Sequence, residues 1–202
     1  MKVVIIDCCL GNLRSVQKAL EAVGADVTIS NRREDVVEAE SLVLPGVGAF
    51  KEAVKNIRSL KPIIAKQVEH GKPLLGICLG LQLLFTRSRE GGLHMGLNIL
   101  KGQVIRFPQD LKVPQIGWNT LQIVDPTNPL VDGLSDKEYV YFVHSYYAQP
   151  EEERNVVAVT QYGVCFPSII AKDNVFATQF HPEKSGGTGL AILRNFLNYT
   201  KK

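Results

Sequence analysis

The apolar positions of this chain fall into short unbroken runs separated by stretches of helical periodicity. Lys2-Val3-Val4-Ile5-Ile6-Asp7 is a continuous apolar run closed by an acid, the pattern of a strand covered on both faces within a parallel sheet. After Gly11, Asn12 stands as a helix N-cap, and Leu13, Val16, Ala19, Leu20 and Val23 recur at helical spacing until Gly24 ends the helix. Ala25 to Ile29 reads as a second strand, and Arg32 to Ala39 as a polar helix or turn. Ser41 to Leu44 forms a third strand that runs into Pro45-Gly46-Val47-Gly48. A helix is expected from Ala49 to His70, and strand, sharp turn and helix over Pro73 to Phe85. Alternation of this kind predicts an α/β fold, a doubly wound, mostly parallel sheet with helices on both faces.

Beyond Gly91-Gly92 the character changes. Residues 98 to 107 and 120 to 124 alternate apolar and polar positions, which suggests a small antiparallel patch at the edge of the main sheet. Pro114 to Asn119 reads as a loop carrying Trp118, the chain's one tryptophan, which serves either as core or as an interface anchor. Glu138 to Tyr147 is an apolar, aromatic-rich segment. Without a surrounding basic patch it reads as a buried strand ending near the site rather than as a base-stacking platform. Val156 to Gln161, Ser168 to Lys172 and Val175 to Phe180 supply further strands. Thr188 to Tyr199 closes the chain as a helix with Leu190, Leu193, Phe196 and Leu197 on its inner face.

Composition narrows the class. A chain of 202 residues, 45% of them hydrophobic, can bury one sizeable core, so a single domain over residues 1–202 is expected. The net charge of +3 arises from scattered residues, without a basic run, and nucleic acid is not an expected partner. Cys8, Cys9, Cys78 and Cys165 form no Cys-x-x-Cys pair and no cluster with histidine at metal spacing, which argues against a disulfide framework or structural zinc. No metal or cofactor is expected. Such thiols suit a reducing cytoplasm. The first strand begins at Lys2, leaving no room for a targeting peptide, and no apolar run is long enough to suggest a membrane span.

The candidate chemistry centres on Gly76-Ile77-Cys78-Leu79-Gly80. Small residues on both sides of a cysteine allow the tight strand-to-helix turn of a nucleophile elbow, with the thiol at the start of a helix, where unpaired amides favour thiolate. A buried structural cysteine in a tight connection would share that pattern. Far downstream stands His181-Pro182-Glu183. Proline biases His181 toward extended backbone, so that His181 and Glu183 project from one face as a base and its orienter. His70, His94 and His144 lack such partners and read as structural or surface residues.

With Cys78, His181 and Glu183 in this order, the chain resembles the class I (triad) glutamine amidotransferases. The resemblance extends over essentially the whole chain. Asp7 with Gly11-Asn12-Leu13-Arg14-Ser15, Leu44-Pro45-Gly46-Val47-Gly48, Gly76 to Gln82, Gly117-Trp118-Asn119, Val143-His144-Ser145-Tyr146-Tyr147 and His181-Pro182-Glu183-Lys184-Ser185 look most like the glutaminase subunits of imidazole glycerol phosphate synthases. The resemblance implies glutamine hydrolysis through a thioester on Cys78, with an oxyanion hole from the backbone N–H groups of Val47 and Leu79. It also implies that Gly48, Gln82, Ser145 and Tyr146 hold glutamine, and that Trp118 and Lys184 meet a separate cyclase subunit, a (β/α)8 barrel, which receives the ammonia for histidine biosynthesis. Gly46, lacking a Cβ, lets the Gly46–Val47 peptide rotate, so the oxyanion hole could be gated. Cys8-Cys9-Leu10 departs from the family pattern, which usually has tyrosine followed by small residues. A glutaminase subunit of another synthase, or a cysteine hydrolase or peptidase of the same fold, stays open as an alternative, and release of ammonia from free glutamine separates the hydrolase or peptidase from the glutaminases. A catalytically silent binding subunit would normally have lost one of the three residues.

Overall fold

The structure, a computed structural model, describes residues 1–8 and 11–201, and the unusual Cys9-Leu10 pair lies outside the described residues. Strand–helix units open the chain: β1 (Lys2–Ile6), α1 (Leu13–Ala22), β2 (Asp26–Ser30), α2 (Arg33–Glu38), β3 (Ser41–Gly46), α3 (Phe50–Asn56), α4 (Lys61–Glu69) and β4 (Leu74–Cys78). The short α5 (Leu79–Leu84) leads to β5 (Phe85–Ser88), β6 (His94–Met95), β7 (Leu100–Arg106), β8 (Gln115–Thr120) and β9 (Gln122–Ile123). Then follow β10 (Tyr139–His144), β11 (Tyr146–Pro150), β12 (Val156–Tyr162), β13 (Val164–Lys172), β14 (Val175–Thr178) and α6 (Gly186–Tyr199).

The main sheet has eight strands in the order β2-β1-β3-β4-β14-β13-β12-β9. From β2 to β14 the neighbours run parallel, and β13, β12 and β9 are antiparallel to the strands beside them. Val3, Val4, Ile5 and Ile6 of β1 are all fully buried, as an unbroken apolar run in a sheet covered on both faces requires. On one face Val3, Ile5, Val43 and Leu75 pack against Val16 and Leu20 of α1, Phe196 of α6 and Phe142 of β10. On the other, Val4, Ile6, Leu42 and Leu44 pack against Val36 of α2, Phe50 of α3, Ile64 of α4 and the buried residues of α5. Fourteen-residue α6 begins at Gly186, two residues before its expected start, and presents Leu193, Phe196 and Leu197 to the core.

Four expectations are corrected. The helix from Ala49 to His70 is two helices, because Pro62 has no N–H to continue the ladder and Leu60 closes a tighter turn onto Ile57 instead. The turn and helix at Cys78 fall within Pro73 to Phe85 as expected, α5 ending at Leu84, where the carbonyls of Leu83, Leu84 and Phe85 accept from the N–H groups of Leu97, Ile99 and Asn98. Residues 98–107 do not border the main sheet: β7 lies in a separate four-stranded sheet, β11-β7-β5-β6, and the antiparallel rim is built by β13, β12 and β9. Pro114 to Asn119 is not a loop, since β8 pairs antiparallel with β10 over Gln115 to Thr120. The segment Glu138 to Tyr147 breaks at Ser145, so β10 and β11 belong to different sheets. His144 fixes that corner, its Nδ1 2.8 Å from the Tyr146 carbonyl and its Nε2 3.1 Å from Gln115 Oε1.

Candidate active site

β3, β4 and β14 are neighbouring parallel strands, and their carboxyl ends release Val47-Gly48, Cys78 and the chain that reaches His181. Ligand sites of open α/β sheets form outside this edge, where loops from adjacent strands converge.

Cys78 ends β4 and opens α5 with φ 55° and ψ −107°, a conformation L-residues rarely adopt. Two glycines make that turn possible. A Cβ on Gly80 would lie 1.6 Å from the Leu44 carbonyl oxygen, and one on Gly76 would lie 2.9 Å from the Leu81 nitrogen. Backbone packing therefore excludes side chains on both sides of the cysteine. The Cys78 sulfur is 3.9 Å from the Val143 carbonyl and 3.8 Å from Gln179 Nε2.

His181 is 1% exposed and follows β14 in extended backbone, as expected before a proline. Pro182–Lys184 then forms a single 3-10 turn rather than extended chain, yet Glu183 still doubles back, its Oε1 2.7 Å from His181 Nδ1. Burial acts to lower the His181 pKa, but hydrogen bonding and charge from Cys78 and Glu183 outweigh it and raise it to about 10. No hydrogen bond of ordinary geometry reaches His181 Nε2, although the sulfur is close enough to act on the ring. Asn12 holds the N-cap position of α1, as expected, but at φ 63° its side chain makes no capping hydrogen bond. Its amide instead donates to Glu183 Oε1, while Oε2 has no partner.

A cleft of about 260 Å³ opens over the cysteine. Val47, Gly48, Leu79, Gln82, Ser145 and Tyr146 all line it, so every position expected to bind glutamine or to stabilise an oxyanion is brought to one place. Gly46 packs directly on the elbow, where an added Cβ would stand 3.1 Å from Leu79 Cβ. Gly48, at φ 107°, turns the chain into α3. Both N–H groups of Gln82 are committed, to the Tyr146 carbonyl at 2.9 Å and Gln179 Oε1 at 3.2 Å, so what Gln82 offers a ligand is its own carbonyl oxygen.

Sequence reading missed four residues here. Glu90 lines the cleft and accepts from the Phe50 N–H at 3.2 Å, and partial burial raises its carboxyl pKa against the lowering effects of that bond and of His94. His144, read as structural or surface, also lines the cleft, and burial lowers its pKa to about 4. Asn12 and Gln179 touch the triad itself. Only Gln179 carried a usable signal, because it stands two residues before His181, in phase with it on an extended chain.

Trp118 and Lys184 lie outside the cleft. Trp118 is 56% exposed on the outer face of the β8–β10 ribbon, opposite Tyr141, with exposed Ile116 and Tyr139 beside it. Lys184 Nζ sits 5.8 Å above the Tyr141 ring. Among the described residues no helix is long and apolar enough to cross a membrane, and no group of three His, Cys, Asp or Glu side chains is placed to hold a metal ion.

A thiol, an imidazole and a carboxylate in sequence at the carboxyl edge of a doubly wound sheet are the layout of an α/β enzyme working by acyl transfer through sulfur. The family model for glutamine amidotransferase class-I matches residues 4–199, and this chain belongs to that family. Among its relatives, imidazole glycerol phosphate synthase subunit HisH of Methanosarcina acetivorans is 52% identical over 199 residues, covering 97% of this chain and 98% of the relative. The subunit of the same name from Aquifex aeolicus is also 52% identical, covering 100% and 99%. Solved structures agree on the fold. A crystal structure of a glutamine amidotransferase superposes with TM-score 0.78 at 22% identity, covering 98% and 99% of the two chains. Another, from Thermotoga maritima, gives 0.73 at 15% identity, covering 99% and 97%.

Proposed function

We infer that this chain is the glutaminase subunit of an imidazole glycerol phosphate synthase, one domain that hydrolyses glutamine to glutamate and ammonia for histidine biosynthesis. The observation that carries the chemistry is His181, held between Glu183 at 2.7 Å and the Cys78 sulfur, at a cleft sized for one small molecule. The synthase assignment rests on relatives of that name that are about half identical over nearly the full length of both chains.

The residues divide the work as follows. The Cys78 thiolate attacks the side-chain amide carbon of glutamine, and the N–H groups of Val47 and Leu79 receive the developing oxyanion. Protonated His181 gives its proton to the departing ammonia, leaving a thioester on Cys78. Neutral His181 then takes a proton from water as it attacks, and glutamate leaves as the thiolate is restored. Glu183, oriented by Asn12, fixes the imidazole by its Nδ1. Glu90 supplies the negative charge that the α-ammonium of a free amino acid requires, and Gly48, Gln82, Ser145 and Tyr146 complete the cradle.

Ammonia passes to a separate cyclase subunit, a (β/α)8 barrel, docked on the outer face of β8 and β10. That face can act on the site through backbone: the His181 N–H donates to the Tyr141 carbonyl at 2.9 Å, and the Tyr141 N–H donates to Ser185 Oγ at 3.0 Å. Ser185 Oγ in turn donates to the His181 carbonyl at 2.6 Å. The test is ammonia release from glutamine by the chain assembled with the cyclase subunit of its own synthase. Release that Cys78→Ala abolishes is expected, and a Cys78→Ala complex with undiminished release would refute the assignment.

A further inference from the structure

We propose that Gln179 is a fourth member of the catalytic apparatus: its side-chain amide donates to the Cys78 sulfur and holds it as an anion, both when it attacks and when it leaves the thioester. The proposal rests on Cys78 being the nucleophile.

A chain of hydrogen bonds fixes which way the Gln179 amide faces. The backbone carbonyl of Tyr146 can only accept, so Gln82, 2.9 Å away, turns its NH2 group toward it. The second hydrogen of that same NH2 points at Gln179, 3.2 Å away, and Gln179 answers with its oxygen. Its own NH2 is then left facing the Cys78 sulfur at 3.8 Å. The amide is fully buried, and its backbone is pinned by the Ser168 carbonyl, which accepts the Gln179 N–H at 2.9 Å. A purely structural filler in this place would be apolar, because a buried amide is tolerated only where its polar atoms find partners, and here one partner is the reacting atom.

The cycle needs such a donor twice. Sulfur carries negative charge before attack and again when water has displaced it, while the proton on His181 moves in between, first to the departing ammonia and then back from water. An N–H from an amide does not titrate and stays in place throughout. The same chain ties Gln82, which meets the substrate, to the nucleophile through a single side chain.

The test is the pH dependence of Cys78 alkylation by iodoacetamide, followed by peptide mass in the full chain and in the Gln179→Met and Gln179→Glu variants. The other titratable groups facing the sulfur or lining its cleft are His181, with Glu183 behind it, His144 from β10, Tyr146 and Glu90, and all are unchanged in both variants. Loss of the donor is expected to move the alkylation midpoint upward by about one pH unit, and to slow alkylation about tenfold below the midpoint. Gln179→Glu is expected to shift it further, because it brings an acceptor and a charge of the wrong sign. A residue that only fills space would change the melting temperature and leave the midpoint where it was. Midpoints coinciding with that of the unsubstituted chain in whichever variants fold would overturn the proposal, and Gln179→Met, which keeps volume and adds no charge, carries the test if Gln179→Glu does not fold. Failure of Cys78 to react at any pH in the unsubstituted chain would instead remove the nucleophile assignment, and the proposal with it.

Discussion

At the scale of single residues, a buried histidine does opposite things in two neighbouring places. His181 is raised to about 10 by Cys78 and Glu183, despite burial, so the folded state holds a proton that the unfolded chain releases near 6.5. That contribution to stability is complete below 6.5 and is lost as pH rises through about 10. Glu183→Gln should therefore cost stability in neutral solution and progressively less toward pH 10, as read by denaturant unfolding. His144 is lowered to about 4 by burial, so the unfolded chain takes up a proton that the fold refuses. Its cost grows as pH falls from 6.5 to about 4, at about 1.4 kcal/mol per pH unit, roughly 3 kcal/mol in all. His144→Gln should flatten the acid limb of a stability profile, and an unchanged slope would contradict a neutral, buried ring. In the assembled enzyme, His181→Ala should lower glutaminase turnover roughly a hundred- to ten-thousand-fold, and Glu183→Gln should cost less, because it disturbs only the orientation of the ring. The reverse ranking would exchange their roles. That Cys78, His181 and Glu183 come together could be read from the sequence, because the pattern depends on residue type and on the glycines and proline beside them. Asn12 and Glu90 could not, because what they touch is set by the folded path of distant segments, and Gln179 only by its phase with His181.

At the scale of elements, the tight turn is the part whose physics the sequence states most directly. Glycines on either side of Cys78 imply a crowded turn, and the structure supplies the atoms that crowd it. Gly80→Ala would drive a Cβ to 1.6 Å from the Leu44 carbonyl oxygen, in backbone that cannot give way cheaply. A loss of about 3 kcal/mol or more is expected from thermal unfolding, whereas Gly71→Ala, which meets no atom within 4 Å, should cost only the strain of its positive φ. Where expectations failed, tertiary pairing had overridden local pattern. Pro114 and Gly117 suggested a loop, yet β10 offers a paired edge and the segment takes it. Glu138 to Tyr147 read as one strand because its corner at Ser145 is held by Gln115, a residue far away in sequence.

At the scale of the whole molecule, the parallel half of the sheet was plain from alternating strands and helices, whereas the division of the later strands among three sheets depends on long-range register that no local run encodes. That division produces the outer face of β8 and β10, where Ile116, Trp118 and Tyr139 stand exposed and the Tyr141 backbone is bonded to that of His181. If the cyclase subunit raises ammonia release, as proposed, Trp118→Ala or Lys184→Ala should reduce that rise, with Cys78 still open to alkylation. Equal turnover by the isolated chain, the complex and the complex with cyclase ligand would exclude such control. The central claim is that one sulfur of the four cysteines performs the chemistry. It is tested most directly by treating the chain with a glutamine-like chloroketone and locating the adduct by peptide mass. Modification at Cys78, prevented by excess glutamine and accompanied by complete loss of ammonia release, is the predicted result. Modification at Cys8, Cys9 or Cys165 in its place, with activity lost in parallel, would contradict it.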